Sequence, residues 1–465
     1  MVVSCRNGLR FAAVGWVELA KPNKEMVYGY RFTADRQPAT GNRQPVKEGI
    51  EMDRFFDESE IRSTLRREED NNLRLSAMVD SGYRHSKMVR ETLDRLGLKP
   101  SDITSTDDLE KLPVISREEV AELEQRDPPF GGFSGENVDI DRIFISPGPV
   151  YEPHLGENQL WGRGYFAAGF RKGDRVLNTF SYHMVAAGLT FHEGLRSAGA
   201  TVIPSGTSGT ETQVQLIRDL GVTGYTGTPS FLNAVINKAE DMGYDFKKDF
   251  GLRRACFVAE PLQSSLRIMF EEKYGIDTFQ MYGATEVGDI AYECSEKAGW
   301  HICEDVIVEI VDPSTGRCAE PGQLGEVVVT RLNDIFFLLR FGTGDLSSIV
   351  EEDCACGRTS RSLSGIAGRV GDAVKVRGMF VTPGQVARVG EAFPQVRFQV
   401  EVTRESYKDI LTVVVVDDEE YAAVGDKCFA DVFSAICAVR IDRIKPVKEG
   451  LYDKDKSIID KREWE

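Results

Sequence analysis

The 465-residue sequence has no apolar run approaching the roughly 20 residues a bilayer-crossing helix needs, which argues against a helical membrane span. It also lacks a surplus of positive charge. Its 57 Lys and Arg stand against 74 Asp and Glu, for a formal charge of −17. That excludes non-specific nucleic-acid binding and a basic membrane-surface patch as partners, and the acidity reads as solubility. The nine cysteines are odd in number and form no small secreted framework, and "RRACFVAE" and "SAICAVR" hold buried-looking examples. This usage points to a reducing cytoplasm. There is no internal repeat and no visible Ser/His/Asp nucleophile arrangement. A further lack is local. The stretch "DRIFISPGPVYEPH" (141–154) has the outline of a phosphate-holding loop, a strand running into Ser146, Pro147, Gly148 and Pro149. Such loops use free backbone N–H groups and usually a Lys; this one has prolines, which carry no N–H, and no Lys.

What is present is an ordinary globular composition, 41% hydrophobic, in a chain long enough for two or three domains. Residues 1–51 read as a disordered tail or a mis-annotated start, with Met52 as the alternative beginning; "FAAVGWVELA" is only weakly like a signal peptide. Residues 52 to about 125 carry helical spacing. From about 140 to 290, short strands such as "DRVLNTF", "ATVIPS", "VTGYTGTP", "RRACFVAE" and "DTFQMYG" alternate with helices. One of these, "TETQVQLIRDLG", has Thr210 or Thr212 as its expected cap. The pattern predicts an α/β fold with a largely parallel sheet, whose ligands bind beyond the carboxyl ends of the strands, at "GTPS", "AEPL" and "YGATE". After 300 the strands crowd into a β-rich subdomain, and from about 370 a compact α+β module begins.

The series "GTPS" (227–230), "AEP" (259–261), "YGATE" (282–286), "LLRFGTGDL" (338–346) and "GRVGDAVKVRG" (368–378), in this order and spacing, resembles the adenylate-forming superfamily. Stretches such as "GATVIPSGTSGTETQVQLI", "WHICEDVIVEIVD" and "GQLGEVVVTRL" resemble its phenylacetate–coenzyme A ligase branch, over about residues 52–465. The resemblance implies a large N-terminal domain (52–369) of parallel sheets, helices and a β subdomain, with a small mobile α+β C-terminal domain (370–465). It implies ATP, coenzyme A and a small carboxylic acid as ligands, with a homodimer as one assembly open to the chain. The acid would first become an acyl-adenylate and then a thioester; transfer to an amine, or a non-catalytic ligand-binding role, are the alternatives. It further implies that Glu260 and Pro261 line the adenine or ribose side, and that Tyr282, Gly283 and Ala284 border adenine and acyl group. Thr285 would contact phosphate, Glu286 hold Mg²⁺, Asp345 bind the ribose hydroxyls and Arg369 reach ribose or phosphate. Lys454, with Lys456 as neighbour and alternative, would swing onto the α-phosphate.

Three departures stand against the family pattern. The Ser-Ser-Gly-Thr-Thr-Gly-Lys-Pro loop is replaced by "ISPGPVYEP". The hinge carboxylate position falls on Gly371, with Asp372 one place later. The second Arg of Arg-Tyr-Arg-Thr-Gly-Asp is Gly342. Separately, Cys294 and His301 have six residues between them, and Cys354 and Cys356 have one. Three thiols and an imidazole are the make-up of a closed structural zinc site, a set some members of the branch carry. The plainer reading is small apolar cysteines and a structural histidine. Cys303, two residues on from His301, is a substitute ligand. His183 is a weaker candidate for the acyl pocket and the Ser205–Thr210 loop for phosphate, while His192 reads as a surface or core residue of its helix.

Overall fold

The computed structural model describes residues 52–462 except 136–137, 147–148, 156–159, 321, 351, 378, 406–407, 417–418 and 449–456. The expected tail, Lys454, Lys456 and the Pro147–Gly148 turn therefore lie outside the described residues.

The helical start is built on serine caps. Ser63 accepts a hydrogen bond from the Arg66 backbone and opens α1 (Thr64–His85). Ser86 does the same from Val89 for α2 (Lys87–Leu96), which stops on Gly97 in the left-handed region. Leu75, Val79, Val89 and Leu93 bury together with Leu332 and Phe337. Ser116 and Glu119 form a capping box at the start of α3 (Arg117–Arg126). A hairpin of β1 (Arg142–Ser146) and β2 (Val150–His154) follows, with Phe144 opposite Glu152 and Ser146 opposite Val150.

Strand–helix alternation then runs as expected: β3 (Arg175–Asn178), α4 (Ala186–Ser197), β4 (Thr201–Ile203), α5 (Thr210–Asp219), β5 (Gly224–Gly227), α6 (Pro229–Asp241), β6 (Arg254–Phe257) and β7 (Asp277–Ala284). The expected cap of α5 is corrected: Gly209 occupies that place and Thr210 is already helical. Strands β4-β3-β5-β6-β7 pair in parallel; β3, β5 and β6 are buried on both faces, as helix-covered strands require, while the edge strand β4 is only part-buried.

The sheet then changes character. Strands β8 (Gly288–Glu293) and β9 (Trp300–Ile302) continue it antiparallel, because connections of a few residues reach an antiparallel neighbour but not a parallel one. A second sheet contains β10 (Val306–Asp312), β11 (Gly325–Arg331) and β12 (Phe341–Ser347). Strands β13 (Ile349–Val350) and β14 (Ser362–Leu363) return to the far edge of the nine-stranded sheet, and β15 (Gly368–Arg369) pairs with β12. The parallel expectation thus holds for one half of the large sheet.

The C-terminal stretch is the α+β module read from the sequence. Strands β16 (Phe398–Glu405), β17 (Lys408–Val416), β18 (Arg443–Val447) and β19 (Ile458–Asp460) lie in the order β18-β17-β16-β19. They share a core with α7 (Pro383–Ala392) and α8 (Asp426–Cys437), built on Val389, Val400, Val413, Phe429 and Phe433. No helix among the described residues is long and apolar enough to cross a membrane.

Candidate active site

Three of the sequence-selected loops follow β5, β6 and β7 directly, at the carboxyl ends of adjacent parallel strands. Two of them touch: the Ser230 hydroxyl, in the first turn of α6, donates to Glu260 at 2.5 Å. Next to Glu260, Ala259 sits at φ 69°, a left-handed conformation that costs a non-glycine residue about 1–2 kcal/mol. The Leu262 backbone donates to Gln280 on β7 and ties this loop to the neighbouring strand. Pro261 is exposed beside it.

The end of β7 meets the second sheet. The Tyr282 hydroxyl lies 2.9 Å from Asp345 Oδ2 and 3.1 Å from Thr343 Oγ1, and donates to one at a time. Asp345 and Arg369 face each other across β12 and β15 with their charged groups 3.7 Å apart, and Arg369 also donates to the Thr343 carbonyl. Burial raises the Asp345 carboxyl, while the Tyr282 hydroxyl and the Arg369 guanidinium pull it down. Tyr282, Asp345 and Arg369 are therefore one cluster. Gly283, beside a register shift between β7 and β8, has no room for a side chain: a Cβ would lie 2.2 Å from the Gly288 carbonyl and 2.5 Å from the Trp161 ring. Gly342, where the family pattern has an arginine, is closed off, since a Cβ there would meet Glu326 at 2.7 Å and Val114 at 2.9 Å.

On the other side of Gly283 the chemistry differs. Glu286 is buried, and its carboxylate forms an ion pair with Arg117, the first residue of α3; the Thr285 hydroxyl donates to its second oxygen at 3.2 Å. Arg117 also donates to Ser146 Oγ at 2.8 Å, linking Glu286 to the mouth of the hairpin. Two more carboxyls crowd here. Glu152, on β2, and Glu124, on α3, are 2% and 1% exposed. Glu124 accepts a hydrogen bond from the Tyr151 backbone. Burial pushes both up to about 7, and the neighbouring carboxylates add to the rise.

Sequence reasoning missed Arg117, Glu124 and Glu152. The first two lie in "SREEVAELE", which reads only as part of the helical stretch before 125; nothing local marks a partner 169 positions away. The remaining candidates fall outside the cluster. His192 lies 3.2 Å from the Tyr182 hydroxyl, and His183 lies in the turn before α4. The Ser205–Thr210 loop bonds to itself and to Asn178: the Ser205 hydroxyl and Gly206 N–H both donate to the Asn178 carbonyl, and the Ser208 hydroxyl donates to Ser205.

Cys294, His301, Cys354 and Cys356 converge at the antiparallel edge of the large sheet, with their ligand atoms all within 4.8 Å of one another. Cys294 follows β8, His301 lies in β9 opposite Ser362, and the other two come from the β13–β14 connection. Cys294 and Cys354 sulfurs are 3.6 Å apart, close to the ~3.8 Å separation of two thiolates on a tetrahedral zinc with ~2.3 Å bonds. His301 turns Nε2 to Cys356 and Nδ1 to the Ser362 hydroxyl, the outer partner a metal-bound imidazole ordinarily has. Hydrogen bonds from Cys294 and His301 pull the Cys356 thiol far down, so it ionises first of the three. Cys303 lies elsewhere, against Asp289.

A family model described as AMP-binding enzyme matches residues 157–333. Phenylacetate-coenzyme A ligase of Thermus thermophilus is 31% identical over 375 residues, covering 77% of this chain and 83% of that protein. The Pseudomonas putida protein of the same name is 33% identical over 327 residues, 67% and 73% of the two chains. Among solved structures, an open conformation of 2-hydroxyisobutyryl-CoA ligase with 2-HIB-AMP and CoA aligns with a TM-score of 0.74 at 21% identity, covering 86% of this chain and 93% of that one. The last is a likeness of fold. With relatives this similar over most of its length, the chain belongs to the phenylacetate–coenzyme A ligase family of AMP-binding enzymes.

Proposed function

We propose that this protein is an ATP-dependent, AMP-forming carboxylate–coenzyme A ligase. The observation that carries the reading is the Tyr282–Asp345–Arg369 cluster at the end of β7, in a chain related over most of its length to such ligases. The acid's carboxylate oxygen attacks the α-phosphorus of ATP, forming a mixed anhydride and expelling pyrophosphate. The coenzyme A thiol then attacks the carbonyl carbon; the C–S bond forms, the C–O bond breaks and AMP leaves.

Each residue has a part. Asp345, held by Tyr282, accepts the ribose hydroxyls through a carboxylate whose orientation is fixed before the nucleotide arrives. Arg369 reaches ribose or phosphate from across the strand pair. Glu260 and Pro261 wall the adenine or ribose side; Gly283 and Ala284 let nucleotide and acyl group approach the backbone. Thr285 offers a hydroxyl to phosphate. Lys454 provides positive charge at the α-phosphate, and the C-terminal module (370–465) turns about the stretch at Gly368–Asp372 to bring it in. Glu286 would hold Mg²⁺, with Arg117 giving up its ion pair to the metal; bound there, the ion would neutralise charge on the phosphate oxygens. Cys294, His301, Cys354 and Cys356 would hold a structural Zn²⁺, pinning the far end of β8 to β9 and the β13–β14 connection. Three thiols kept for a metal fit a reducing cytoplasm. An aryl-acetic acid of the phenylacetate type is the substrate the relatives' name suggests.

The test is incubation with ATP, Mg²⁺, coenzyme A and a panel of aryl and short-chain acids, followed by mass detection of thioester and AMP. Thioester and AMP in equal amounts support the reading. AMP without thioester, and an amide when an amine is supplied, would move it to amine transfer.

A further inference from the structure

We propose that Glu152 is a specificity-determining residue that turns this nucleotide site toward monophosphate ligands, AMP and acyl-adenylate, and against the triphosphate of ATP. The inference rests on the reading that the nucleotide binds at the ends of β5 to β7 with its phosphates toward Thr285 and Glu286.

Two sides of the site are built to opposite electrostatic plans. At the nucleoside side each charge has a partner: Asp345 has Tyr282 and Arg369, and Glu260 has Ser230. At the hairpin mouth, three glutamates, Glu124, Glu152 and Glu286, surround one guanidinium, that of Arg117. Glu286 takes the ion pair and Glu124 takes the Tyr151 N–H. Neither oxygen of Glu152 has a well-formed hydrogen bond among the described residues, although the Ser146 and Thr285 hydroxyls stand beside it. Buried to 98% and outside the Glu286–Arg117 ion pair, this carboxyl is held up at about 7, so it carries its negative charge above that pH. It sits beside Thr285 and Glu286, the groups proposed to meet phosphate. The α-phosphate of AMP needs only Thr285 and the cations at the nucleoside side. The β- and γ-phosphates would extend toward the hairpin and bring their charge against Glu152 in a poorly screened pocket. Each added phosphate therefore weakens binding when Glu152 is ionised. One consequence concerns the leaving group: pyrophosphate, once formed, is held loosely and the adenylate tightly.

Isothermal calorimetry at pH 8 with the full-length protein, AMP, ADP and ATP, at fixed excess Mg²⁺ and constant ionic strength, tests this. Three proteins are compared: wild type, Glu152→Gln and Glu152→Lys. Wild type should bind AMP at least about tenfold more tightly than ATP, the least expected from one buried like charge at close range. Glu152→Gln, which keeps size and removes charge, should narrow that ratio, and Glu152→Lys should narrow it further or invert it, both with AMP affinity little changed. ATP binding as tightly as AMP in wild type, or an unchanged ratio in the folded Glu152→Gln protein, overturns the proposal. Failure of folded wild type to bind any of the three nucleotides would instead overturn the underlying site assignment.

Discussion

The nucleoside side and the phosphate side of this site lie on either side of Gly283, yet they solve the problem of buried charge differently. At the first, a carboxylate is flanked by a phenol and a guanidinium and is poised for a ligand. At the second, three glutamates share one arginine, and two of them sit at about 7 instead of the ordinary carboxylate range. A catalytic framework can thus keep its nucleoside grip while the loop for the outer phosphates changes, because the two depend on different elements. The first rests on β7, β12 and β15; the second rests on α3 and the β1–β2 hairpin.

The largest effect should come from breaking the one ion pair of the phosphate side. Arg117→Met leaves Glu286 buried without its cation and should lower stability by about 3 kcal/mol, read by urea unfolding. Asp345→Ala strikes the other side. It removes charged hydrogen bonds to ribose and should cost about a hundredfold in kcat/KM for ATP while folding is retained, as steady-state kinetics would show. Cys354→Ser disturbs the antiparallel edge of the large sheet, away from both sides. Bound zinc, measured by elemental analysis, should fall from one per chain, with a loss of about 2 kcal/mol in stability. If wild type carries no zinc, the four-residue cluster is structural packing only. The smallest effect is a matter of pH. Glu124 is raised in the folded protein, so the stability it contributes is present below its ordinary value of 4.5 and lost as pH rises through about 7. Relative to Glu124→Gln, wild type should therefore lose stability progressively between pH 5 and 8, read from thermal melts.

The nucleoside side was legible in the sequence because α/β alternation places loops mechanically. Once β5, β6 and β7 are recognised as parallel neighbours, Ser230, Glu260 and Tyr282 must lie at one edge, and Ser230 and Glu260 do touch. The metal-type cluster was legible from residue chemistry alone, and the pairing of β9 with β8 and β14 brings its four side chains together. The crowded carboxyls were not legible. Glu124 looks like one more charged residue on an amphipathic helix, and Glu152 like a polar residue in a proline-rich hairpin. Only packing α3 against that hairpin turns them into a buried set. The antiparallel half of the large sheet was also hidden, since strand patterns carry no direction; short connections decide it.

The central claim is that this chain adenylates a carboxylic acid. Pyrophosphate release at millimolar ATP, with Mg²⁺ and a panel of acids, tests it most directly. Release that requires an acid and disappears in Lys454→Ala is the predicted result. A folded protein that releases no pyrophosphate with any acid would contradict it.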